Sequence, residues 1–176
     1  KNGLPCTRVI DMMLSDENGI YFITAKGKNF YHQLMQKGYI SLSGMVGGEG
    51  TMDKKAISVY GAVRNIGNEK LDEIFVANPY MADIYKSPKS RTALEVFCLY
   101  KGHGEYFDLS TQPITRASFA FGGEETKEFG YFITDKCTTC GLCVEKCPMD
   151  CISIGEPYMI NQQHCLHCGN CMEVCP

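Results

Sequence analysis

The cysteines near the carboxyl-terminal end of the chain form two copies of one pattern. The first copy reads Cys137-Thr-Thr-Cys140-Gly-Leu-Cys143 and then Cys147-Pro148, and the second reads Cys165-Leu-His-Cys168-Gly-Asn-Cys171 and then Cys175-Pro176. Both copies have the spacing C-x2-C-x2-C-x3-C-P. Eight of the eleven cysteines fall in these two runs, so we expect bound metal to hold this end of the chain together.

The spacing of each run fits an iron–sulfur cube. Three thiolates at three-residue steps can wrap one face of a cube, and a fourth, followed by proline, points toward a neighbouring cube. This is the ligand run of bacterial two-cluster ferredoxins, in which the fourth cysteine binds the other cluster. The runs therefore predict electron transfer through two [4Fe-4S] clusters. One cluster is assigned to Cys137, Cys140, Cys143 and Cys175, and the other to Cys165, Cys168, Cys171 and Cys147.

Two other uses of the cysteines agree less well with the pattern. A structural zinc site needs two pairs of ligands, whereas each run has three cysteines and a Cys-Pro. A disulfide framework fits poorly with an odd cysteine total and thiolate-ligand spacing, which favour a reducing compartment. The sequence shows no signal peptide and no apolar run that could span a bilayer. We therefore predict a cytoplasmic protein without membrane contact.

Charge is distributed unevenly along the chain. The formal net charge is -3 in 176 residues, and residues 135–176, with five acidic and two basic side chains, account for all of it. No basic footprint for nucleic acid is present. An acidic cluster region would attract a redox partner with a basic docking face, although a solvated acidic surface without a partner explains the charge equally well.

The first 109 residues read as strands with a few helices. Leu4–Leu14 is predicted to be extended and to form a hairpin with Ile20–Thr24. The helical stretches are 28–37, 69–77 and 81–86, and the further strands are 39–46, 56–66 and 94–109, the last as one strand or as a hairpin around Lys101-Gly102-His103-Gly104. The expected fold is α+β: a small antiparallel barrel with helices outside it.

The same region resembles the pyridoxamine 5'-phosphate oxidase-like flavin-binding split barrels. The resemblance rests on three stretches: Leu4-Pro5-Cys6-Thr7-Arg8-Val9-Ile10, Tyr21-Phe22-Ile23-Thr24-Ala25-Lys26-Gly27-Lys28-Asn29 and Ser58-Val59-Tyr60-Gly61-Ala62-Val63. Such a barrel joined to a two-cluster ferredoxin is similar to a group of iron–sulfur flavoproteins of anaerobic microbes. It implies an antiparallel split β-barrel at 1–109, a connection at 110–128 and a small ferredoxin-like module at 129–176. Family barrels begin with a further strand and ferredoxins end in one, so we expect the natural chain to be longer.

The resemblance also implies a site for FMN. It places the phosphate and ribityl chain near Arg8, Thr24, Lys28 and Asn29, and the backbone of Val9 and Ile10 against the isoalloxazine ring. Arginine and lysine beside a threonine hydroxyl and a helix N-terminus suit a phosphate dianion on independent grounds.

Family members pair as homodimers with the flavin at the subunit boundary, and we expect the same here. The alternation of apolar residues on the last strand suggests that both of its faces are covered. These residues are Phe97, Leu99, Tyr106 and Phe107.

Several other residues are candidates for a functional role. Cys6, Cys98 and Cys151 lie outside the ligand runs and are predicted to be buried as small apolar side chains, with Cys151 close to a cluster. His167 could tune a cluster potential, but a histidine on a ligand loop is more often solvated. His103 could meet a substrate at a hairpin tip.

Two functions of different classes remain open. The first is an FMN-dependent oxidoreductase that passes electrons between the clusters, the flavin and an unidentified substrate or carrier. The second is a non-catalytic flavin-binding or electron-carrier protein that serves a separate enzyme, since no acid, base or nucleophile constellation is visible. A redox partner protein or a small-molecule electron donor or acceptor is expected in either case.

Overall fold

The structure, a computed structural model, describes residues 5–127 and 129–176. The strands are β1 (Leu14–Asp16), β2 (Gly19–Ala25), β3 (Tyr39–Gly47), β4 (Lys54–Gly67), β5 (Leu94–Asp108), β6 (Thr115–Phe121), β7 (Ile152–Ser153) and β8 (Met159–Ile160). The α-helices are α1 (Asn29–Lys37), α2 (Leu71–Ala77), α3 (Met81–Ile84), α4 (Pro88–Arg91), α5 (Leu142–Lys146) and α6 (Asn170–Glu173). Short 3₁₀ turns lie at Thr51–Asp53 and Gln162–His164.

Strand β5 is the centre of the larger sheet. The strand order is β1-β2-β5-β4-β3, and β6 also pairs with β5. Strands β2 and β5 are antiparallel, with Phe22 opposite Phe97 and Thr24 opposite Glu95. A strand has only two edges, so two of the three partners of β5 must pair with the same edge at different positions along its length. With 15 residues, β5 is long enough to pair with two strands along one edge.

One face of β5 packs against α2. Val96 and Cys98 are fully buried and lie in a cluster with Ile74 and Phe75. Ile74 and Phe75 are on α2, the helix that follows β4. Because alternate side chains of a strand point to the same face, one apolar helix face is enough to cover this side.

The other face of β5 carries aromatic side chains. Phe97 stacks on Phe22 with ring centroids 5.9 Å apart and meets Tyr31 of α1 edge-on at 5.7 Å. Leu99 is completely buried. The expectation that both faces are covered is therefore correct, but for Phe97 and Leu99 the covering groups belong to the same chain. These two residues give no support to a dimer interface.

The cysteine runs lie on short helices and loops. Helix α5 follows Gly141 and α6 follows Gly169, and the two helices are in contact. Strands β7 and β8 pair as a two-residue ladder between the runs. Pro148 stands one residue after the C-cap of α5, where a helix cannot continue.

Of the two alternatives for 94–109, the single strand is correct, because β5 runs unbroken through Lys101–Gly104. Two local expectations differ from the structure. The segment before Leu14 has no strand between Pro5 and Met13, and Leu4 lies outside the described residues. The supposed connection at 110–128 contains β6, a strand of the main sheet, and Glu128 is outside the described residues. The sequence missed β6 because its burial is intermediate and its pairing to β5 is not visible locally.

The chain divides into two compact units. As far as they are described, one comprises residues up to 42, 60–103 and 120–125, and the other 43–59, 104–119 and 126–176. The second unit thus contains the cysteine runs together with parts of β3, β4, β5 and β6. The domain boundaries given above stay a prediction.

Candidate functional site

A cavity of about 600 Å³ in the first unit brings together all six residues predicted to bind the cofactor. Its volume lies in the range of small-molecule sites. Arg8, Val9 and Ile10 come from the segment before β1, Thr24 from β2, and Lys28 and Asn29 from the start of α1. The further lining residues are Asp11, Met13, Ile23, Ala25, Phe30, Met81, Ile84, Tyr85 and Leu94.

The start of α1 gives one end of the cavity an anion-binding character. Lys28 is the N-cap residue, and among the described residues no side chain caps the helix or places an acidic group in its first turn. The N–H of Lys28 donates to the carbonyl of Ala25 at 3.0 Å, so the N–H groups without an intrahelical partner begin at Asn29, which lines the cavity at the positive end of the helix dipole. Arg8 adds a second cation along the same helix, with Nη2 donating to Gln33 Oε1 at 3.5 Å.

The hydroxyl of Thr24 is a buried polar group without a partner. The residue is 4% exposed, and its Oγ1 has no hydrogen-bond partner among the described residues. A buried hydroxyl normally makes a hydrogen bond because leaving it unpaired is costly. Thr24 lines the cavity, so a ligand there can supply the missing partner.

Apolar side chains make up most of the remaining lining. Val9 is 99% exposed and Ile84 65% exposed, so both present apolar surface that the chain itself leaves uncovered. Tyr85 is half-buried against Phe75, edge-on, with ring centroids 6.4 Å apart. An aromatic ligand with an anionic tail fits this combination of an apolar wall and a cationic end, which is the chemistry of FMN.

The sequence did not indicate the residues that α3 contributes. Met81, Ile84 and Tyr85 are spaced at i, i+3 and i+4, which marks one face of a helix but does not indicate a cavity. The exposure of Ile84 shows that this face is not purely core, and exposure cannot be read from spacing.

The two cysteine runs have the same backbone geometry. Thr139 and His167, each two residues after the first cysteine of its run, have φ of 54° and 56°, and the glycines after the second cysteines, Gly141 and Gly169, both have φ of 83°. The N–H groups of Thr139 and His167 donate to the sulfurs of Cys137 and Cys165, both at 3.4 Å. Such N–H···S bonds favour thiolates and help set cluster potentials.

The thiols within each run lie close to one another. Burial raises the pKa of Cys143, and the nearby Cys137 and Cys140 raise it further. Burial likewise raises the pKa of Cys171, with added contributions from Cys165 and Cys168. Negative charge gathered in this way needs a cation, so the donor set fits an iron–sulfur cluster. Among the described residues, no three His, Cys, Asp or Glu side chains converge closely enough to hold a single metal ion.

Cys147 and Cys165 both lie near Cys151, and the crossed ligand assignment stays a prediction. The sulfur of Cys147 is 3.5 Å from that of Cys151, and burial together with the nearby Cys147 and Cys165 raises the pKa of Cys151 to about 12. Cys98 and Cys151 are buried as expected, whereas Cys6 is exposed. The approach of Cys175 to the first run is part of that prediction.

His167 is held against strand β6 by Arg116. Its Nδ1 is 3.2 Å from Nη1 of Arg116. Burial, and then the charge of Arg116, lower the pKa of the ring, which favours its neutral form. The expectation that this histidine is solvated is wrong.

Comparison with known proteins identifies the cysteine-rich segment. Residues 136–176 match the family model of the 4Fe-4S dicluster domain. The chain carries an iron–sulfur domain. A ferredoxin from Butyribacterium methylotrophicum is 46% identical over 35 residues, which is 20% of this chain and 64% of the ferredoxin. The chain therefore spans less than two thirds of that relative.

Several solved structures resemble about 70% of the chain. A NimC/NimA family protein from Clostridium acetobutylicum matches at TM-score 0.55 and 19% identity, over 68% of this chain and 77% of that one. PhzG from Burkholderia lata 383, in complex with tetrahydrophenazine-1-carboxylic acid, matches at TM-score 0.52 and 17% identity, over 72% and 74%. A pyridoxamine 5'-phosphate oxidase-related, FMN binding protein from Nostoc punctiforme has TM-score 0.43 and 14% identity, over 72% and 82%.

The first two structural matches and the family model together confirm the predicted fold class. The chain is an α+β protein with an antiparallel split-barrel sheet and a ferredoxin-like segment. At these identities the structural likeness establishes the fold alone. Within the described residues, none of the helices has the length and apolar character needed to cross a membrane.

Proposed function

We propose that the protein is an iron–sulfur flavoprotein oxidoreductase with two [4Fe-4S] clusters and one FMN. The observation that carries the proposal is that one chain combines the duplicated cysteine run with a cavity lined by all six residues predicted for FMN. Clusters exchange single electrons and a flavin can take up two, so together they couple a one-electron partner to an organic substrate or carrier.

The cavity residues divide the binding task. Arg8, Lys28 and the free N–H groups of α1 hold the phosphate by charge, and the unpaired hydroxyl of Thr24 donates to it or to the ribityl chain. Asn29 adds a further polar group beside them. The backbone at Val9 and Ile10, with the apolar lining, packs on the ring and excludes water from one side.

FMN binding is tested by stripping the clusters and recording the absorbance spectrum before and after adding FMN. We expect one FMN per chain, and Arg8→Ala should weaken binding by about 1.5 to 3 kcal/mol, because a charged hydrogen bond is lost. Lys37→Ala, at the far end of α1 and outside the cavity lining, is the matched control and should bind FMN normally. A stripped protein that stays colourless with FMN added would refute the flavin.

Cluster content is tested by iron and sulfide analysis of protein purified without oxygen. Two complete ligand sets predict about eight irons and eight acid-labile sulfides per chain. Cys143→Ser should remove one cluster and leave the other at least in part. About four irons, or stoichiometric zinc, would contradict the two-cluster assignment.

The composition of the cavity keeps a second function in view. Within the described part of the chain, its ionisable lining residues are Arg8, Asp11, Lys28 and Tyr85, and Asp11 accepts a hydrogen bond from Tyr80 at 2.8 Å. His103 instead faces Glu124, 3.6 Å away. With so few acid or base groups, this lining also fits a non-catalytic flavin-binding or electron-carrier protein. Steady turnover of bound FMN with reduced ferredoxin or a nicotinamide donor and an organic acceptor would establish the enzyme, and its absence the carrier.

We also propose a homodimer in the cytoplasm, served by a redox partner protein or a small electron carrier. The second unit exposes apolar side chains on β3, on the 3₁₀ turn Thr51–Asp53 and at the start of β4. These are Met45, Val46, Met52 and Ile57. An isologous interface would bury each of them twice. Val46→Lys should break the interface, and light scattering should then show monomers. Val76→Lys, at an exposed site on α2, is the control and should leave the dimer intact. If the unmodified protein is a monomer that binds FMN fully, the dimer proposal is wrong.

A further inference from the structure

The two cysteine runs share a backbone but not their surroundings. Thr139 and His167 occupy equivalent positions, with the same φ and the same N–H···S bond. Thr139 is exposed and its hydroxyl donates to the carbonyl of its neighbour Thr138 at 2.7 Å. His167 instead meets a partly buried cation from β6, Arg116. The two runs therefore differ at this equivalent position in the charge that lies near it.

That cation, Arg116, is held firmly. Nη1 lies 3.3 Å from Glu105 Oε1 and 3.2 Å from His167 Nδ1, and the guanidinium carbon is 5.0 Å from the centre of the Phe107 ring. Its side chain is only 18% exposed, while that of Glu105 is 38% exposed. The carboxylate is thus better solvated than the guanidinium, so water screens the acid more than the base. A net positive field remains on the side of His167.

His167 joins this cation to the ligand loop. Arginine can only donate hydrogen bonds, so Nδ1 accepts from Nη1 and the ring proton sits on Nε2. The backbone N–H of the same residue donates to the sulfur of Cys165. A hydrogen-bonded path of one residue therefore links a permanent charge to a cluster ligand, and nothing equivalent is present at Thr139 among the described residues.

We propose that Arg116 makes the two clusters unequal, raising the reduction potential of the cluster held by Cys165, Cys168 and Cys171 above that of the other. The inference rests on the two-cluster part of the proposed function. Reduction adds one negative charge to a cluster, and a nearby fixed positive charge stabilises the reduced form. When one electron passes between the clusters, the first is oxidised and the second reduced, without a proton or further reagent. In the singly reduced protein, the electron therefore resides mainly on the cluster beside Arg116.

The test is a potentiometric titration of the anaerobic holoprotein followed by electron paramagnetic resonance. Arg116→Gln keeps the length and polarity of the side chain but removes the charge. We expect one of two reduction waves to fall by about 59 mV, a tenfold change for one electron, while the other stays in place. Arg116→Lys, which keeps the charge, should restore most of the shift. Cys168→Ser identifies the wave, since it must change the same one.

Two further variants separate electrostatics from structure. Glu105→Gln frees Arg116 of its counter-ion and should raise the same wave, so the inference stays testable even if Arg116→Gln loses iron. Lys55→Gln removes the same formal charge from the second unit, where Lys55 pairs with Asp108 at 3.3 Å, and should move neither wave. If neither reduction potential changes in Arg116→Gln and Glu105→Gln, or if both potentials shift together, the inference is wrong but the proposed function stands. A protein without two clusters overturns the proposed function instead.

Discussion

The strands around β5 and the cysteine module, residues 129–176, keep their structure by different means. Of the 20 apolar residues buried in the described chain, 16 lie at or before Ile114 and only four in the module. Those four are Cys151, Ile152, Tyr158 and Cys165, and one of them is itself a predicted ligand. A segment with so small a core depends on its metal for stability, whereas the sheet depends on burial.

The difference separates two kinds of site in one chain. The cavity is built on a packed sheet, so it can exist before its ligand and hold an unpaired group, Thr24, ready for it. The cysteine runs gather thiols that repel one another once ionised, so their arrangement is stable only with cluster iron bound. Stability and cofactor content should therefore respond to different residues in the two regions.

Removing the iron should have the largest effect. Anaerobic oxidation with a chelator is expected to unfold the module, because metal ligation is its main source of stability, and to spare the sheet. Hydrogen exchange read by mass spectrometry should show full exchange over 129–176 and retained protection over β2 and β5. Protection of the module without iron would contradict the comparison.

Phe97→Ala should act on the opposite region. The side chain is 1% exposed and contacts Phe22 and Tyr31, so its loss should cost about 3 to 5 kcal/mol of unfolding free energy. Urea unfolding followed by tyrosine fluorescence measures the change. Val76→Ala, at a residue that is 80% exposed, should be almost neutral. A Phe97→Ala variant of unchanged stability would show that β5 is not the structural centre.

Thr24→Val should have effects of opposite sign with and without ligand. Without ligand it removes an unpaired buried hydroxyl at nearly constant volume, so stability should rise by about 1 kcal/mol. With ligand it removes a hydrogen-bond donor, so FMN affinity should fall about tenfold. Thermal melts with and without FMN give both values. Thr92→Val is the control, because the exposed hydroxyl of Thr92 bonds to the carbonyl of Lys89, and it should leave FMN affinity unchanged. An unchanged affinity in Thr24→Val would show that the Thr24 hydroxyl does not bind the ligand.

Alanine at the two equivalent glycines should give the smallest, graded effects. Gly141 and Gly169 both have φ of 83°, which costs an alanine about 1 kcal/mol. A Cβ on Gly141 would meet nothing within 4 Å, whereas one on Gly169 would lie 3.0 Å from the hydroxyl of Tyr131. The temperature at which cluster absorbance is lost should therefore fall more for Gly169→Ala than for Gly141→Ala. The reverse order would mean that the runs differ in some other way.

Much of the chemistry could be read from the sequence because it is local. The ligand spacing from Cys137 to Cys147 lies within a few turns of chain, and a cube dictates it directly. A resemblance over short stretches predicted Arg8, Thr24 and Lys28 as cofactor-binding residues. All three line one cavity, and Thr24 and Lys28 lie close together because β2 leads into α1 through a tight loop.

Only the tertiary structure decided which groups meet across long sequence separations. Strand β6 became part of the sheet by pairing with β5, Ile84 and Tyr85 reached the cavity on α3, and Arg116 reached His167, 51 residues away. It also turned Phe97 and Leu99 inward, away from any partner. The spacing of the cysteine ligands is set by the geometry of the cluster, so it can be read from a short stretch of sequence. Burial and charge contacts depend on how the elements pack, and no short stretch of sequence contains that information.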